Sequence, residues 1–245
     1  MLLARAALAS GIIFPLYIYP GDNCAGWTSA ISAATSHPNL PFYFIVNPDS
    51  GPGSINSQPD ANYQACIPKL RPAANPNVKI LGYVRTNYTT FPVSDVEAAV
   101  HTYAQWGSAY RPTGIFYDEV LATSDAQSRY AAYTSYAKAQ ISNAFVTLNP
   151  GTAAPAPFYT FADQIVTVEA YFDEFSSSTP ASKQAIILHD SPTALPSSTI
   201  TKTVKTDKIG AIYITDDVQA NWQNPYDSFP SYWSSFVDAV QTAAS

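Results

Sequence analysis

Eight short apolar runs, spread along the whole chain, constrain its fold more than any other feature. They read "GIIFPLYIYP", "PFYFIVNP", "VKILGYVRT", "GIFYDEV", "AFVTLNP", "QIVTVEAYF", "QAIILHDS" and "GAIYITDD". They recur roughly every 25 to 35 residues, the length of a βα unit. Each is continuous in its apolarity rather than alternating, as expected of strands covered on both faces. Eight such units in 245 residues match the size of a single (β/α)8 barrel of the TIM type. A doubly wound open sheet is the competing arrangement. It usually carries a glycine-rich first turn, whereas the first turn here is "YPGDNCAGW", with no GxGxxG.

Three intervening segments have helical periodicity. In "VSDVEAAVHTYAQW", Ser94 and Glu97 form a capping-box pattern, and Val96, Val100, Tyr103 and Trp106 share one face. Tyr130, Tyr133 and Ala137 do the same in "SDAQSRYAAYTSYAKAQ", as do Tyr232, Phe236 and Val240 near the C-terminus. No linker interrupts residues 11–245, which are expected to form one domain. Residues 1–10, "MLLARAALAS", read as the remnant of an export segment or as a disordered N-terminus.

Only 12% of residues are charged, against a usual share of roughly 25%. Polarity comes instead from Ser, Thr, Asn, Gln and 17 Tyr. The net charge is −6 and the 12 Lys and Arg residues are scattered along the chain, which argues against a nucleic-acid partner. Beyond the N-terminal segment, no other stretch is long and apolar enough to span a bilayer. A secreted or cell-surface monomer is expected. Cys24 and Cys66 have no metal-motif spacing; they are either two buried thiols or one disulfide tying two early loops, and the secreted-type composition favours the disulfide. Asn87-Tyr88-Thr89 is a glycosylation sequon at a strand end.

Barrel chemistry sits at the C-terminal ends of the strands. The first run ends on Tyr17, Tyr19 and Asp22, the second on Asn47, and the third on Arg85 and Tyr88. The fourth ends on Asp118 and Glu119, and the fifth on Asn149. The sixth carries Glu169, Tyr171 and Asp173, the seventh ends on His189 and Asp190, and the eighth on Asp216 and Asp217. Acids accompanied by tyrosines and amides suit a carbohydrate cleft, where rings stack on sugar faces and paired carboxylates cleave the glycosidic bond. Asp118, Glu119 and Glu169 are the expected catalytic set. Tyr17, Tyr19, Asp22, Asn47, Arg85, Tyr88, Asn149, Tyr171, His189 and Asp216 are the expected substrate-binding set. A strand-end Asp is also a common helix N-cap, which is the competing reading of Asp190 and Asp216. The three His residues lie far apart and no HExxH or GxSxG occurs, so neither a metal nor a serine nucleophile is indicated, and no cofactor is implied.

"PLYIYPG" followed by Trp27, "NPDSGPG" with Tyr63, "LGYVRTNY", "GIFYDE", "VTVEAYF" and "IYITDD", in that order, resemble the spherulin-4 family over nearly the whole chain. The resemblance implies a (β/α)8 barrel with glycoside hydrolase activity. It also implies an endo-acting α-1,4-N-acetylgalactosaminidase of a galactosaminogalactan-type exopolysaccharide, as in characterised fungal members. Carried over residue by residue, the family's Asp-Glu pair falls on Asp118 and Glu119. Its later-strand glutamate falls on Glu169, with Glu174 as competitor.

The expected mechanism is retention, with Asp118 as nucleophile, Glu169 as general acid/base, and Glu119 orienting substrate or tuning its neighbours. An adjacent Asp-Glu pair also serves substrate-assisted hexosaminidases, but an α-linked galactosamine presents its acetamido group cis to the leaving group, which disfavours that route. Two alternatives stand beside this reading: a non-catalytic carbohydrate-binding or cell-surface protein on a degenerate barrel, and a barrel hydrolase for another glycan.

Overall fold

The structure, a computed structural model, describes residues 8–174 and 180–245; the side chains of Glu174 and Trp222 lie outside the described residues. All eight apolar runs form strands: β1 (Gly11–Leu16), β2 (Phe42–Val46), β3 (Val78–Arg85), β4 (Gly114–Asp118), β5 (Phe145–Leu148), β6 (Gln164–Tyr171), β7 (Gln184–His189) and β8 (Ala211–Ile214). They pair in chain order, all parallel, and β8 closes on β1. The result is a (β/α)8 barrel. Every residue of β1, β7 and β8 is buried, which is why these runs are apolar without alternation.

The outer layer contains α1 (Thr28–Ser36), α2 (Ala61–Cys66), α3 (Val93–Ala104), α4 (Gln127–Gln140), α5 (Ser197–Ile200) and α6 (Trp233–Ala244). Short 3-10 turns stand between β5 and β6 and on either side of residues 175–179. The apolar faces of α3, α4 and α6 are buried as their periodicity implies. The start of α3 differs from expectation. Pro92 occupies the N-cap position with no side-chain cap, and Ser94 lies inside the first turn, its hydroxyl donating to Asp95. The fixed φ of proline starts the helix without help from a capping box. Gly82 in β3 lets α3 approach closely, since a Cβ there would meet the Tyr103 ring at 2.8 Å.

Strand β6 is irregular at one point. Val166 pairs with Ala185 and Val168 with Ile186, so Thr167 is an extra residue outside the backbone register, its hydroxyl donating instead to the Gln184 side chain of β7. Such a bulge inverts the facing of everything after it. Val168 therefore turns to the outer layer and Glu169 to the barrel interior.

Cys24, in the turn after β1, and Cys66, at the end of α2, form a disulfide closing a 42-residue separation. Loop-closure entropy for that span corresponds to about 4 kcal/mol. The Cys24→Ser/Cys66→Ser variant should therefore unfold at lower urea than the parent, by roughly 3–4 kcal/mol on linear extrapolation, with an unchanged far-UV spectrum before the transition.

Candidate active site

Asp118 is the last residue of β4 and faces inward with Phe116, while Tyr117 faces out and donates its hydroxyl to the Tyr133 carbonyl of α4. Strand alternation alone would send Glu119 outward with Tyr117. It does not, because Glu119 leaves the strand with φ of 53°, in the left-handed region. A non-glycine residue is strained there and needs external support. Thr86, at the end of β3, supplies it: its hydroxyl lies 2.9 Å from both the Asp118 and Glu119 carbonyl oxygens, and the Tyr88 N–H donates to the Glu119 carbonyl at 2.8 Å. Both acids thereby reach the rim of the same cleft.

The cleft encloses about 450 Å³ and is lined by Tyr88, Asp118, Glu119, Asn149, Glu169 and His189, together with Pro150, Gly151, Gln219 and Tyr226. At its base is a symmetrical network. The Asn149 side-chain amide donates to Asp118 Oδ1 at 2.7 Å and to Glu169 Oε2 at 2.6 Å. Tyr83 donates to the other Asp118 oxygen at 2.7 Å, and Tyr226 donates to the other Glu169 oxygen at 2.7 Å. The amide's orientation is fixed because Asn149 Oδ1 accepts the Gly151 N–H. Tyr17 packs edge-on against both phenol rings, 5.8 Å from Tyr83 and 6.0 Å from Tyr226. The nearest oxygens of the two carboxyls are thus separated by no more than the sum of those two amide hydrogen bonds.

Burial first, and then the neighbouring Glu169 charge, raise the Asp118 carboxyl from its ordinary value to about 6, against the opposing effect of the Tyr83 hydrogen bond. Glu119 is engaged differently. Its carboxylate accepts from Arg85 Nε at 2.8 Å, and the Arg85 guanidinium lies 5.5 Å from the Phe91 ring centre. The leading like charge acting on Asp118 is therefore that of Glu169, two strands along the barrel. His189 is buried, lines the cleft, and shares a 2.6 Å hydrogen bond with Asp190 through Nδ1; Tyr171 packs edge-on against its ring at 4.7 Å.

Of the expected substrate-binding residues, Tyr88, Asn149 and His189 line the cleft, and Tyr17, Arg85 and Tyr171 touch residues that do. Four lie outside it. Tyr19 and Asp22 both accept from Asn62 near the disulfide, Asn47 accepts the Gly51 N–H inside its own loop, and Asp216 accepts from the Ser231 backbone and hydroxyl. Asp190 and Asp216 are not helix N-caps either; Asp190 accepts from His189 and from the Gln219 N–H. Asp173 is exposed, and the side chain of Glu174 lies outside the described residues. Two residues of the network were absent from the sequence reading. Tyr83 shares the inward face of β3 and could have been found by stepping two residues back from Arg85. Tyr226 arrives on the long loop after β8, where no periodicity marks it.

The fold and site define a (β/α)8-barrel protein with a paired-carboxylate cleft at the C-terminal ends of its strands. The chain belongs to the family described as spherulation-specific family 4, which it matches over residues 11–240. Spherulin-4 of Physarum polycephalum is 30% identical over 244 residues, covering 94% of this chain and 69% of that protein. The solved structure of Aspergillus clavatus Sph3 in complex with GalNAc is 29% identical, covers 97% of this chain and 98% of its own, and superposes with a TM-score of 0.81. A glycoside hydrolase family 5 enzyme from Prevotella bryantii shares the fold, with a TM-score of 0.51 at 11% identity.

Asp118 binds its proton more tightly in the folded chain than in the unfolded one. Its contribution to stability is full below about pH 4 and is lost as pH rises through about 6. Asp118→Asn removes the buried charge, so at pH 7 it should stabilise the protein by about 2–3 kcal/mol. Denaturant titrations of parent and variant should converge at pH 4, and a variant equally stable or weaker at pH 7 would contradict this account.

Proposed function

We propose that this protein is a glycoside hydrolase that cleaves α-1,4-linked N-acetylgalactosamine-containing exopolysaccharide with retention of configuration, acting outside the cell or at its surface. The observation that carries the reading is the Asp118–Asn149–Glu169 bridge. Two carboxyls bound to one amide nitrogen have their nearest oxygens close together, which favours the roughly 5–5.5 Å carboxyl spacing of retaining enzymes over the 6.5–9.5 Å that admits a water in inverting ones. The GalNAc bound by the Aspergillus relative, and that relative's similarity over nearly all of this chain, support the choice of sugar.

In this mechanism Asp118 attacks the anomeric carbon while Glu169 protonates the leaving oxygen. Water, deprotonated by Glu169, then releases the sugar from Asp118. Tyr83 and the Asn149 amide hold the Asp118 carboxylate in line for attack. Glu119, fixed by Arg85, orients the sugar from the rim, and the half-exposed Tyr88 ring offers a stacking face. The pair works with one proton between its two members. Asp118 gives up its proton near pH 6, so the proton the pair works with is lost as pH rises through that value. The kcat/KM profile should therefore fall as pH rises through about 6, giving an acidic optimum; an alkaline optimum would refute the shared-proton mechanism.

The reverse division, with Asp118 as acid and Glu169 as nucleophile, is favoured by the raised Asp118 value. Substitution with azide rescue separates the two. Asp118→Ala and Glu169→Ala should each lose about 10³-fold or more in kcat on N-acetylgalactosamine polymer, and Glu119→Gln about ten- to a hundredfold. Azide should return the β-glycosyl azide from the nucleophile variant and the α-azide from the acid/base variant. A β-azide from Glu169→Ala would exchange the roles. Polymer binding with no cleavage by the parent over long incubation would identify a binding protein instead.

A further inference from the structure

The end of the barrel opposite the cleft carries a second concavity, of about 320 Å³, between the segments that lead into β3, β4 and β5. Three cations face it: Arg71 before β3, Lys79 near the start of β3, and Arg111 before β4. Ser108 and Asn143 add neutral donors, and no acid lines it. The surrounding chain explains why. Residues 61–94, 98–117 and 126–162 contain no Asp or Glu at all, although the whole chain holds 18 acids to 12 bases.

None of the three cations has a carboxylate partner among the described residues. Arg71 spends two donors on backbone carbonyls, those of Arg111 at 3.2 Å and Ala109 at 2.6 Å. Arg111 donates through Nε to the Trp106 carbonyl at 3.0 Å, which leaves the terminal edge of its guanidinium open. Burial holds the Arg71 guanidinium below its ordinary value. Partly buried like charges around one hollow repel each other and are poorly hydrated, a cost that an anion in the hollow would relieve. Guanidinium edges beside an ammonium and a hydroxyl suit a tetrahedral oxyanion, to which arginine bonds in pairs.

We propose that this pocket is an anion-binding site for a phosphate or sulfate group, either free or carried on a polymer. Its position at the opposite end from the cleft allows it to be filled while the cleft works, so a polymer held there would tether the protein with its cleft free.

The test uses the full chain. Thermal unfolding is followed with sodium sulfate or phosphate against sodium chloride at matched ionic strength, and retention on immobilised dextran sulfate is measured in parallel. Sulfate should raise the transition beyond the chloride control. Lys79→Gln, which breaks no hydrogen bond seen here, should weaken sulfate binding about tenfold. Lys79→Gln/Arg111→Gln should abolish it, with glycan turnover unchanged in both variants. Retention on dextran sulfate that is lost in the double variant would identify a polymer-borne group, and a response to the free ions alone would identify free anion. Equal shifts in sulfate and chloride, or a sulfate response undiminished in Lys79→Gln, would overturn the proposal.

Discussion

Holding two carboxylates side by side within hydrogen-bond reach of one amide is the constraint on which the upper barrel is built. Each buried carboxylate left without partners would cost several kcal/mol. The chain satisfies both with three side chains from three places: a phenol from β3, a phenol from the loop after β8, and the Asn149 amide between them. The remaining cost is electrostatic and is expressed as a raised Asp118 pKa. Tyr17 fills the space beneath, touching both phenols, so the positions of the two acids depend on an aromatic floor as much as on their own strands.

Much of this arrangement was legible in the sequence. The eight apolar runs gave the strands and their order, since parallel strands joined by short connections have few ways to close. The strand-end rule located Asp118, Glu119, Asn149 and Glu169 together. The same rule also selected Tyr19, Asp22, Asn47 and Asp216, which do not line the cleft. A loop after a strand can turn its polar groups back on itself, as Asn47 does on Gly51, and nothing local separates that from a residue aimed at a ligand. Tyr226 was invisible for a related reason, since its role comes from where a long loop crosses the barrel mouth.

Charge was read correctly in sum and incompletely in place. Along the sequence the basic residues are scattered; in space, Arg71, Lys79 and Arg111 meet at one end of the barrel. The three acids of the cleft meet at the other. A (β/α)8 chain visits each end once per repeat, so residues before strands and residues after strands sort to opposite faces. The sorting depends on position within each repeat, which a net charge of −6 averages away.

The bulge at Thr167 governs how sequences of this kind can be compared. The direction of the Glu169 side chain is set by counting, not by chemistry: one residue between Val166 and Val168 decides whether the acid meets Asn149 or the outer layer. A relative could retain every acid of the site and lose the reaction through a single deletion in a run of Val and Thr. Alignment columns would record conservation while the side chains had exchanged inside for outside. In such barrels the length of β6 is as informative about chemistry as the letters it contains.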